Sequence, residues 1–527
     1  MLLCMKQKTI TPRSVDFPQW YQDVIARAQG LYDESPVTGC MTFGPLSTSL
    51  WQNIREFVDA RLQHMGVENI MLPMLIPDSF FKREKAHIEG FAPEVAVVTH
   101  AGGAALPEPY CVRPTSELLF VDWFGRGGRV QSHRDLPLLV NQWCSVLRWE
   151  KRPRAFLRTA EFHWQEGHCL FATLEDCRAF TLAILDLYAQ LCEDILAIPV
   201  VKGDKPAHEV FPGAIGTYTI ESMMQDGKAL QMGTSHMLSQ NFLKQPDGKA
   251  LVSFLDADGS TQIPFYDSWA VTTRLLGALI MAHGDDDGIV LPPAIAPTQV
   301  AILPVFGAND DENESVAKAA QALAQAIAQH TSPFAHRSKN TDKAQIYRLH
   351  GRSDWFLEAQ GDIAVRIDMR KDARIGDKTF HQIHSGTPLR IEIGARDLRE
   401  GVCILKSRMR SREEAESVSL ESAPARVAAM LVEDQKTLFT RALALRKKRT
   451  VTPASYAELK EALDTGHWAE IAWDGRGETV EKLKRDTSGG TYRCFPFDAP
   501  SDAGALTDIV SGKTSAFEKK IIVGKAY

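Results

Sequence analysis

Two arginines, a glutamate and a phenylalanine near the middle of this chain have the types and the spacing that nucleotide binding requires. Arg148 and Glu150 precede a short basic loop, and Arg158 and Phe162 follow it. Apolar and aromatic residues flank both halves, a pattern typical of two antiparallel strands joined by a turn. One guanidinium could neutralise an α-phosphate and the other a γ-phosphate, while the aromatic ring stacks on adenine and the glutamate accepts from its amino group. A buried ion pair within a hairpin is the alternative interpretation.

The spacing of these four residues resembles motif 2 of the class II aminoacyl-tRNA synthetases. Further segments, in chain order, resemble prolyl-tRNA synthetases of the archaeal and eukaryotic type; they are residues 91–99, 112–117, 164–168, 209–221, 231–236 and 267–274. The likeness extends from about Phe17 to Tyr527 and is densest before Pro297. It implies a proline–tRNA ligase, which activates proline with ATP and transfers the prolyl group to the proline tRNA.

The resemblance and the sequence pattern together predict an α/β multi-domain fold. Residues 1–297 are expected to form a catalytic domain with the antiparallel-sheet core of class II synthetases. A proline-rich linker at 291–297 ends this domain, because proline interrupts regular structure. Alternating strand and helix patterns predict a small α/β anticodon-binding domain at 298–405. A connecting helix at 406–449 and an α+β C-terminal domain at 450–527 complete the predicted order.

The composition is that of a globular multi-domain protein. The 527 residues are 44% hydrophobic and 24% charged, with a net charge of −6 at pH 7. Local basic clusters at 151–154, 406–412 and 446–449 are, without the family context, more often solvated surface than RNA contacts. No apolar run approaches the ~20 residues that a membrane helix needs, so no membrane contact is expected. Nine cysteines without a C-x-x-C pair favour a reducing cytoplasm.

The resemblance implies a role for each residue of the matched motifs. Arg148, Arg158 and Arg274 are the predicted catalytic residues, because the reaction needs positioning and charge neutralisation rather than a covalent enzyme intermediate. The predicted ATP-binding residues are Arg148, Glu150, Arg158, Phe162, Gln231, Thr234 and Arg274. The predicted proline-binding residues are Thr115, Glu117, Arg148, Phe162, Trp164, Glu166, His168, His236, Ser268 and Ala270. Core packing is the alternative for each aromatic residue taken singly.

The predicted amino acid pocket must hold a small apolar ring and a secondary ammonium group. Aromatic side chains could enclose the ring, and Glu117 would supply the charge that opposes the ammonium. ATP is expected as a substrate, with Mg²⁺ bridging its phosphates. Glu166 or Gln231 could help to hold the ion, and the sequence does not decide between them.

A homodimer is expected from a second resemblance near the N-terminus. A helical pattern at 50–65, followed by an apolar strand at 70–77, resembles motif 1 of class II synthetases with Pro73 as its proline. In that family the motif builds the dimer interface. Since proline cannot donate to a strand ladder, an edge strand is the alternative.

Several positions depart from the family pattern. Ala270 and Ser239 each replace a glycine, and the methyl group of Ala270 could tighten the pocket floor. In the anticodon domain, residues 382–386 replace a segment whose charged side chains would read guanine bases, although Arg390, Arg396 and Asp397 remain.

The C-terminal domain of the family often holds a structural zinc ion between four cysteines. The corresponding positions here are Asp474, Gly477, Ile509 and Ser511, with Cys494 alone nearby. One cysteine cannot build a tetrahedral site, so neither zinc nor another protein-bound metal is predicted.

The altered anticodon domain leaves two other functions open. One is a paralogue that forms an amino acid adenylate for an acceptor other than tRNA. The other is a catalytically silent regulator that binds tRNA or an amino acid. Retention of Arg148, Arg158 and Arg274 argues against a silent protein.

Overall fold

The computed structural model contains two large β-sheets, one of eleven strands and one of seven, with helices packed around them. It describes residues 9–83, 95–245, 247–334, 336, 345–348, 356–501 and 506–527. Residues 91–94, which belong to the predicted family segment 91–99, lie outside this set.

The N-terminal region supplies most of the larger sheet. Its helices are α1 (Phe17–Arg27), α2 (Pro45–His64), α3 (Asp78–Arg83), α4 (Glu117–Gly125), α5 (Leu174–Gln190), which continues as a π-helical turn (Leu191–Ile195), and α6 (Arg274–His283). Its strands are β1 (Tyr32–Glu34), β2 (Met41–Phe43), β3 (Glu68–Asn69), β4 (Leu75–Pro77), β5 (Val97–Ala101), β6 (Ala104–Val112), β7 (Leu138–Leu147), β8 (Glu161–Phe171), β9 (Val201–Asp204), β10 (Gly216–Met223), β11 (Ala229–Ser239), β12 (Phe254–Leu255), β13 (Thr261–Gln262) and β14 (Phe265–Thr272).

Two further regions follow along the chain. The second contains β15 (Val300–Val305), α7 (Asp310–Gln329), β16 (Gln345–Arg348), β17 (Phe356–Gln360), β18 (Val365–Asp368), α8 (Ile375–His384), β19 (Leu389–Gly394), α9 (Ala395–Glu400), β20 (Val402–Ser407), β21 (Glu416–Ser419) and α10 (Ala423–Lys448). The third contains β22 (Thr450–Val451), α11 (Tyr456–Asp464), β23 (Trp468–Ile471), α12 (Gly477–Asp486), β24 (Gly490–Pro496) and β25 (Ile521–Lys525).

The larger sheet has the strand order β22-β23-β25-β24-β9-β10-β11-β14-β8-β7-β3. From β9 to β7, each strand is antiparallel to its neighbour. The two strands predicted on either side of the basic loop are β7 and β8, and Leu147 pairs with Glu161 where the loop begins. The predicted antiparallel core is therefore confirmed.

The smaller sheet extends the second domain beyond the predicted boundary at 405. Its order is β16-β17-β18-β15-β19-β20-β21, and β15 is parallel to both of its neighbours. Helix α10 begins only at Ala423, and its residues Val427 and Leu431 are buried in the core of this domain. The predicted connecting helix over 406–449 is thus too long at its start. Within the described residues, the half-exposed strand β21 pairs with β20 alone, and the local sequence gives little indication of this pairing.

The predicted strand over 70–77 is interrupted. Only β4 forms within it, because Pro73 has no N–H group to donate to a ladder. The buried Arg113 guanidinium instead donates to the carbonyl oxygens of Leu72, at 3.0 Å, and Pro73, at 3.3 Å. This arrangement leaves Met71 and Met74 on the surface, with exposed fractions of 92% and 55%.

Ser239, one of the departures from the family pattern, adopts a left-handed backbone conformation with φ of 55°. It lies where the pairing of β11 with β14 shifts register after Met237. A residue with a Cβ atom pays about 1 kcal/mol in this region, whereas glycine does not. The geometry explains why the family pattern has glycine at this position.

The strands of the third region belong to the larger sheet and are not merely packed beside it. Strand β24 pairs antiparallel with β9, so that Phe495 lies opposite Asp204. Near this junction, the buried Glu221 carboxylate contacts Arg493 Nη2 and Lys205 Nζ, each at 2.9 Å. Burial opposes ionisation, but the two cations outweigh it and hold the pKa of Glu221 below its usual value.

Hydrogen bonds connect the loops in which the family would carry zinc ligands. Asp474 accepts from the Thr479 hydroxyl at 2.9 Å, and its backbone N–H donates to Asp508 at 3.0 Å. Asp508 also accepts from the backbone N–H of Val510 at 2.8 Å. Cys494 belongs to a different, fully buried apolar cluster.

Replacing Arg493 with methionine should reduce the free energy of unfolding by about 3 kcal/mol, because a buried carboxylate then loses one of its two cations. Urea unfolding followed by tryptophan fluorescence measures the change. Arg485→Met is the matched control, since the Arg485 side chain on α12 is 72% exposed. This substitution should change the free energy of unfolding by less than about 0.5 kcal/mol. Equal losses in the two variants would contradict the argument.

Candidate active site

Two rows of side chains cross the same face of the larger sheet. Successive residues of a strand point to opposite faces, so the register decides which side chains meet. The first row, from β11 through β14 and β8 to β7, consists of Thr234, Ala270, Glu166 and Gln142. The second row, from β11 through β14 to β8, consists of His236, Ser268 and His168. Apart from Gln142, which donates a hydrogen bond to Glu166 from the neighbouring strand, these residues form the floor of one pocket.

Gly167 lies between the two floor residues of β8 and allows the opposite face of the sheet to close. A Cβ atom at this position would lie 2.0 Å from the indole ring of Trp269. Trp269 is fully buried in the main hydrophobic core. The glycine thus permits a large side chain to pack directly beneath the floor.

A cavity of about 670 Å³ lies above the floor. Every residue predicted to bind ATP or proline lines this cavity. The structure therefore brings the whole predicted set together, from three strands (β8, β11 and β14), the basic loop and the starts of α4 and α6. Their individual roles stay predictions.

The Arg148 side chain is oriented by backbone and aromatic groups. Its Nε donates to the carbonyl oxygen of Pro114 at 2.9 Å, and its backbone N–H closes the hairpin by donating to Ala160 at 2.8 Å. The guanidinium carbon lies 5.4 Å from the ring centre of Phe162 and 5.5 Å from that of Trp164. These contacts hold a cation above two aromatic rings at the mouth of the pocket.

Arg274 and Arg158 add positive charge close to Arg148. Arg274 is the first residue of α6 and donates to the carbonyl oxygens of Leu157, at 3.3 Å, and Gln231, at 3.5 Å. Burial, followed by the Arg148 and Arg158 cations, lowers the pKa of Arg274 to about 10. Since the three cations repel one another, this end of the cavity favours a ligand with several negative charges.

Two buried carboxyl groups, those of Glu117 and Glu166, also line the cavity. Glu117 begins α4 and is 5% exposed, and its Oε2 accepts from the Thr115 hydroxyl at 2.5 Å. Burial raises the pKa of Glu117 above its usual value. A cationic group entering here would favour the charged form of this carboxyl.

Glu166 is held from both sides. Its Oε1 accepts from Gln142 Nε2 at 2.6 Å, and its Oε2 lies 3.2 Å from His168 Nε2. Burial opposes ionisation, but these hydrogen bonds outweigh it and lower the pKa of Glu166. In the same floor, burial lowers the pKa of His236 to about 3, which makes its imidazole neutral at physiological pH.

Ser268 carries a hydroxyl group that a ligand could satisfy. The residue is 3% exposed, lines the cavity and has no hydrogen-bond partner for its Oγ among the described residues. Because buried polar groups in folded proteins are normally hydrogen-bonded, this hydroxyl is available to a polar group of a ligand.

Sequence reasoning missed several residues of the site. The segment 208–212 forms one wall of the cavity, and His208 packs against the C-terminal aromatic rings of Trp473 and Tyr492 at 5.4 and 6.2 Å. No pattern in the local sequence predicts this contact. Gln142, in contrast, could have been found, since strand alternation together with the hairpin register places it beside Glu166.

Neither a metal cluster nor a membrane helix is found in the part of the chain that the structure describes. No group of three or more His, Cys, Asp or Glu residues there could hold a metal ion. Among the same residues, no helix combines the length and the apolar character needed to cross a bilayer. Glu166 Oε1 accepts a hydrogen bond from Gln142, and Oε2 lies 3.2 Å from His168 Nε2. This residue therefore has little capacity left for a metal ion.

Three protein-family models match the chain. Residues 104–283 match the tRNA synthetase class II core domain (G, H, P, S and T). Residues 299–430 match the anticodon binding domain, which supports the longer second domain seen in the structure. Residues 456–527 match the C-terminal domain of prolyl-tRNA synthetase.

Curated relatives are similar along their whole length. The proline–tRNA ligase of Roseiflexus castenholzii is 41% identical over 99% of this chain and 100% of its own. The proline–tRNA ligase 2 of Bacillus thuringiensis is 41% identical and the proline–tRNA ligase of Porphyromonas gingivalis 40% identical, each over 99% of both chains. With the class II core, the anticodon-binding domain and the C-terminal domain all present in one order, the chain belongs to the proline–tRNA ligase family of class II aminoacyl-tRNA synthetases.

Proposed function

We propose that this chain activates proline with ATP and transfers the prolyl group to the proline tRNA. The observation that carries the proposal is the set of charged groups that line one cavity. Arg148, Arg158 and Arg274 line it together with the buried carboxyl groups of Glu117 and Glu166. An amino acid zwitterion next to a nucleoside triphosphate has the complementary distribution of charge.

In the activation step, the proline carboxylate attacks the α-phosphorus of ATP and pyrophosphate leaves. Arg148 is placed to neutralise the α-phosphate and the attacking carboxylate, while Arg158 and Arg274 neutralise the β- and γ-phosphates. Positioning and charge neutralisation account for the catalysis, since no protein nucleophile takes part. Mg²⁺ is treated as part of the nucleotide substrate, because it usually binds through phosphates and water with few protein ligands.

The proposed nucleotide contacts surround the mouth of the cavity. Phe162 stacks on adenine, and Glu150 accepts from the adenine amino group. Gln231 and Thr234, on the central strand β11, complete the nucleotide side. The cation–π geometry of Phe162 with Arg148 supports this assignment, because it places the ring and the α-phosphate ligand side by side.

The proposed proline contacts occupy the inner part of the cavity. Trp164 walls the pyrrolidine ring, while Thr115 and Glu117 receive the secondary ammonium. The methyl group of Ala270 lies in the floor between Thr234 and Glu166. It narrows the space beneath the ring compared with a glycine at the same position.

The tRNA is proposed to contact the seven-stranded sheet of the second domain. Arg390 is 9% exposed, and its Nε and Nη1 have no hydrogen-bond partner in the described part of the chain. A buried guanidinium needs acceptors, which base edges or phosphates can supply. Gln382, from the replaced segment, bonds instead with the Thr387 hydroxyl at 2.9 Å and is suited to supporting the fold.

The decisive test is transfer of labelled proline to unfractionated tRNA in the presence of ATP and magnesium. We expect acid-precipitable label that disappears when ATP or tRNA is omitted. Proline-dependent exchange of pyrophosphate into ATP without transfer would instead support the paralogue that uses a different acceptor. Absence of both reactions would overturn the proposal and favour a silent binding protein.

Replacing Arg148 with alanine should lower proline-dependent ATP–pyrophosphate exchange about 1000-fold, as for loss of a group that stabilises transition-state charge. The circular dichroism spectrum and melting temperature should stay close to those of the wild type. Arg152→Ala is the control, because Arg152 lies exposed in the same loop and outside the cavity. Retention of exchange activity in Arg148→Ala would show that another residue binds the α-phosphate.

We also propose a homodimer without structural zinc. The exposed Met71 and Met74, next to the interrupted motif 1 strand, support an apolar interface. The hydrogen bonds of Asp474 and Asp508 support a C-terminal domain that is held together without a metal. The archaeal and eukaryotic subtype and a cytoplasmic location stay predictions from the motifs and the cysteine pattern.

Native mass spectrometry of the purified chain tests both features together. We expect the mass of two chains and no additional mass from zinc. A monomer at micromolar concentration would contradict the dimer, and one zinc ion per chain would contradict the account of the C-terminal domain. Spectra recorded after addition of zinc, followed by dialysis, control for metal lost during purification.

A further inference from the structure

The basic loop between β7 and β8 contains a tight corner, residues 155–158, which ends at the proposed phosphate ligand Arg158. Arg158 and Arg154 exchange backbone hydrogen bonds at 2.9 and 2.6 Å. Between them, Phe156 has a left-handed backbone conformation with φ of 61° and is 3% exposed. A phenylalanine rarely adopts this conformation, because its Cβ atom then lies too close to the following carbonyl oxygen. The loop corner is therefore strained, and its surroundings must hold it in place.

One hydrogen bond to the loop corner comes from the N-terminal helix α1. The hydroxyl group of Tyr21 donates to the carbonyl oxygen of Ala155 at 2.8 Å, although the two residues are 134 positions apart in the chain. Tyr21 is 6% exposed and belongs to the main hydrophobic core, so packing fixes its position. Burial, mainly, raises the pKa of this phenol above its usual value, and the hydroxyl therefore keeps the proton that it donates.

The ring of Phe156 is held by the hairpin of β1 and β2. Tyr32 on β1 and Phe43 on β2 each meet it edge-on, with ring centres 6.2 and 5.6 Å away. A change of the Phe156 backbone to a right-handed conformation would move the ring out of these contacts. The hairpin and α1 thus hold the strained corner together.

Helix α6 also contacts the loop corner and connects it with a second proposed phosphate ligand. The Nε of Arg274 donates to the carbonyl oxygen of Leu157 at 3.3 Å. Gly277 lies three residues further along the same face of the helix. A Cβ atom there would lie 2.7 Å from Leu157 Cδ2 and 2.8 Å from the hydroxyl oxygen of Tyr21. The missing side chain at Gly277 lets the helix, the loop corner and Tyr21 pack together.

We propose that Tyr21 is a positioning residue for the nucleotide: it holds the loop corner so that Arg158 and Arg274 face the same triphosphate. The inference rests on the proposed function and adds a residue that does not line the cavity. Because its hydrogen bond acts on Ala155, Tyr21 affects the two arginines through the backbone of the loop corner and makes no contact with the substrate.

Tyr21→Phe removes only the hydroxyl group. The KM for ATP, measured by proline-dependent ATP–pyrophosphate exchange, should rise about fivefold, the size expected for the loss of one net hydrogen bond. The KM for proline should stay near the wild-type value, because the loop corner carries none of the proposed proline contacts. A variant that is merely less stable would show a lower melting temperature without this difference between the two KM values.

Limited digestion with trypsin follows the loop without relying on activity. The basic loop offers cleavage sites after Lys151 and Arg154, both of which are exposed. Cleavage at these sites should be faster in Tyr21→Phe than in the wild type, because proteolysis reports on local opening. Mass spectrometry of the fragments identifies the bonds that are cut.

Gly277→Ala disturbs the same loop corner without removing a polar group. The added methyl group must displace Leu157 or Tyr21, so the KM for ATP should again rise while the KM for proline does not. Gly376→Ala is the matched control, because a Cβ atom at this position in α8 meets nothing within 4 Å. It should leave both KM values unchanged.

Tyr188→Phe is the matched control for the loss of a buried hydroxyl group. Tyr188 is fully buried, and its hydroxyl donates to Gln165 at 2.6 Å on the face of β8 opposite the cavity. Its loss should lower the melting temperature and leave both KM values and the cleavage of the loop unchanged.

The outcomes separate this inference from the proposed function. If the wild-type chain shows no proline-dependent exchange, the proposed function fails, and the rates of tryptic cleavage alone decide whether Tyr21 holds the loop corner. If the wild type is active, an unchanged KM for ATP in Tyr21→Phe overturns the positioning role, and so does an equal rise of both KM values. A selective rise of the KM for ATP in Tyr21→Phe and Gly277→Ala, but not in their controls, supports it.

Discussion

The register between β8 and β14 is the constraint on which the site depends. It pairs Glu166 with Ala270 and His168 with Ser268, so that polar side chains share one face while Trp269 fills the other. A shift by one residue would exchange the two faces, burying the carboxylate in the apolar core and exposing the tryptophan in the cavity. The packing of Trp269 over Gly167 opposes such a shift, and in this way core packing fixes the position of the chemical groups.

The fold also brings charged side chains with unfavourable electrostatic energies together in this cavity. Three arginines and two buried carboxyl groups line the same cavity. Burial raises the pKa of Glu117 and, with the neighbouring cations, lowers that of Arg274. The charged forms of Glu117 and Arg274 therefore cost free energy in the empty protein, and a ligand of complementary charge offsets that cost. This explains why one cavity suits both an ammonium group and a triphosphate.

The C-terminal domain contributes to the active site through the sheet that it shares with the catalytic domain. Strand β24 continues the catalytic sheet at β9, and Arg493 pairs with Glu221 across the junction. Trp473 packs against His208, which lies in the wall of the cavity. The position of this wall thus depends on residues that follow it by more than two hundred positions in the chain. A change that weakens the packing of the C-terminal domain is therefore expected to alter the wall of the cavity as well.

Local sequence was sufficient to predict the hairpin of β7 and β8 and the linker before β15, and the resemblance of its motifs to a known family supplied a set of residues that meet in one cavity. These features depend on strand alternation, proline placement and motif spacing, which are visible within short segments. The start of α10, the interruption of the strand at Pro73 and the joining of β24 to β9 depend on partners distant in the chain. The same is true of the hydrogen bond between Tyr266 and His168, which lie on the neighbouring strands β14 and β8. The sequence by itself thus determined which chemical groups are present, whereas long-range strand pairing decided which of them meet and in what state of charge.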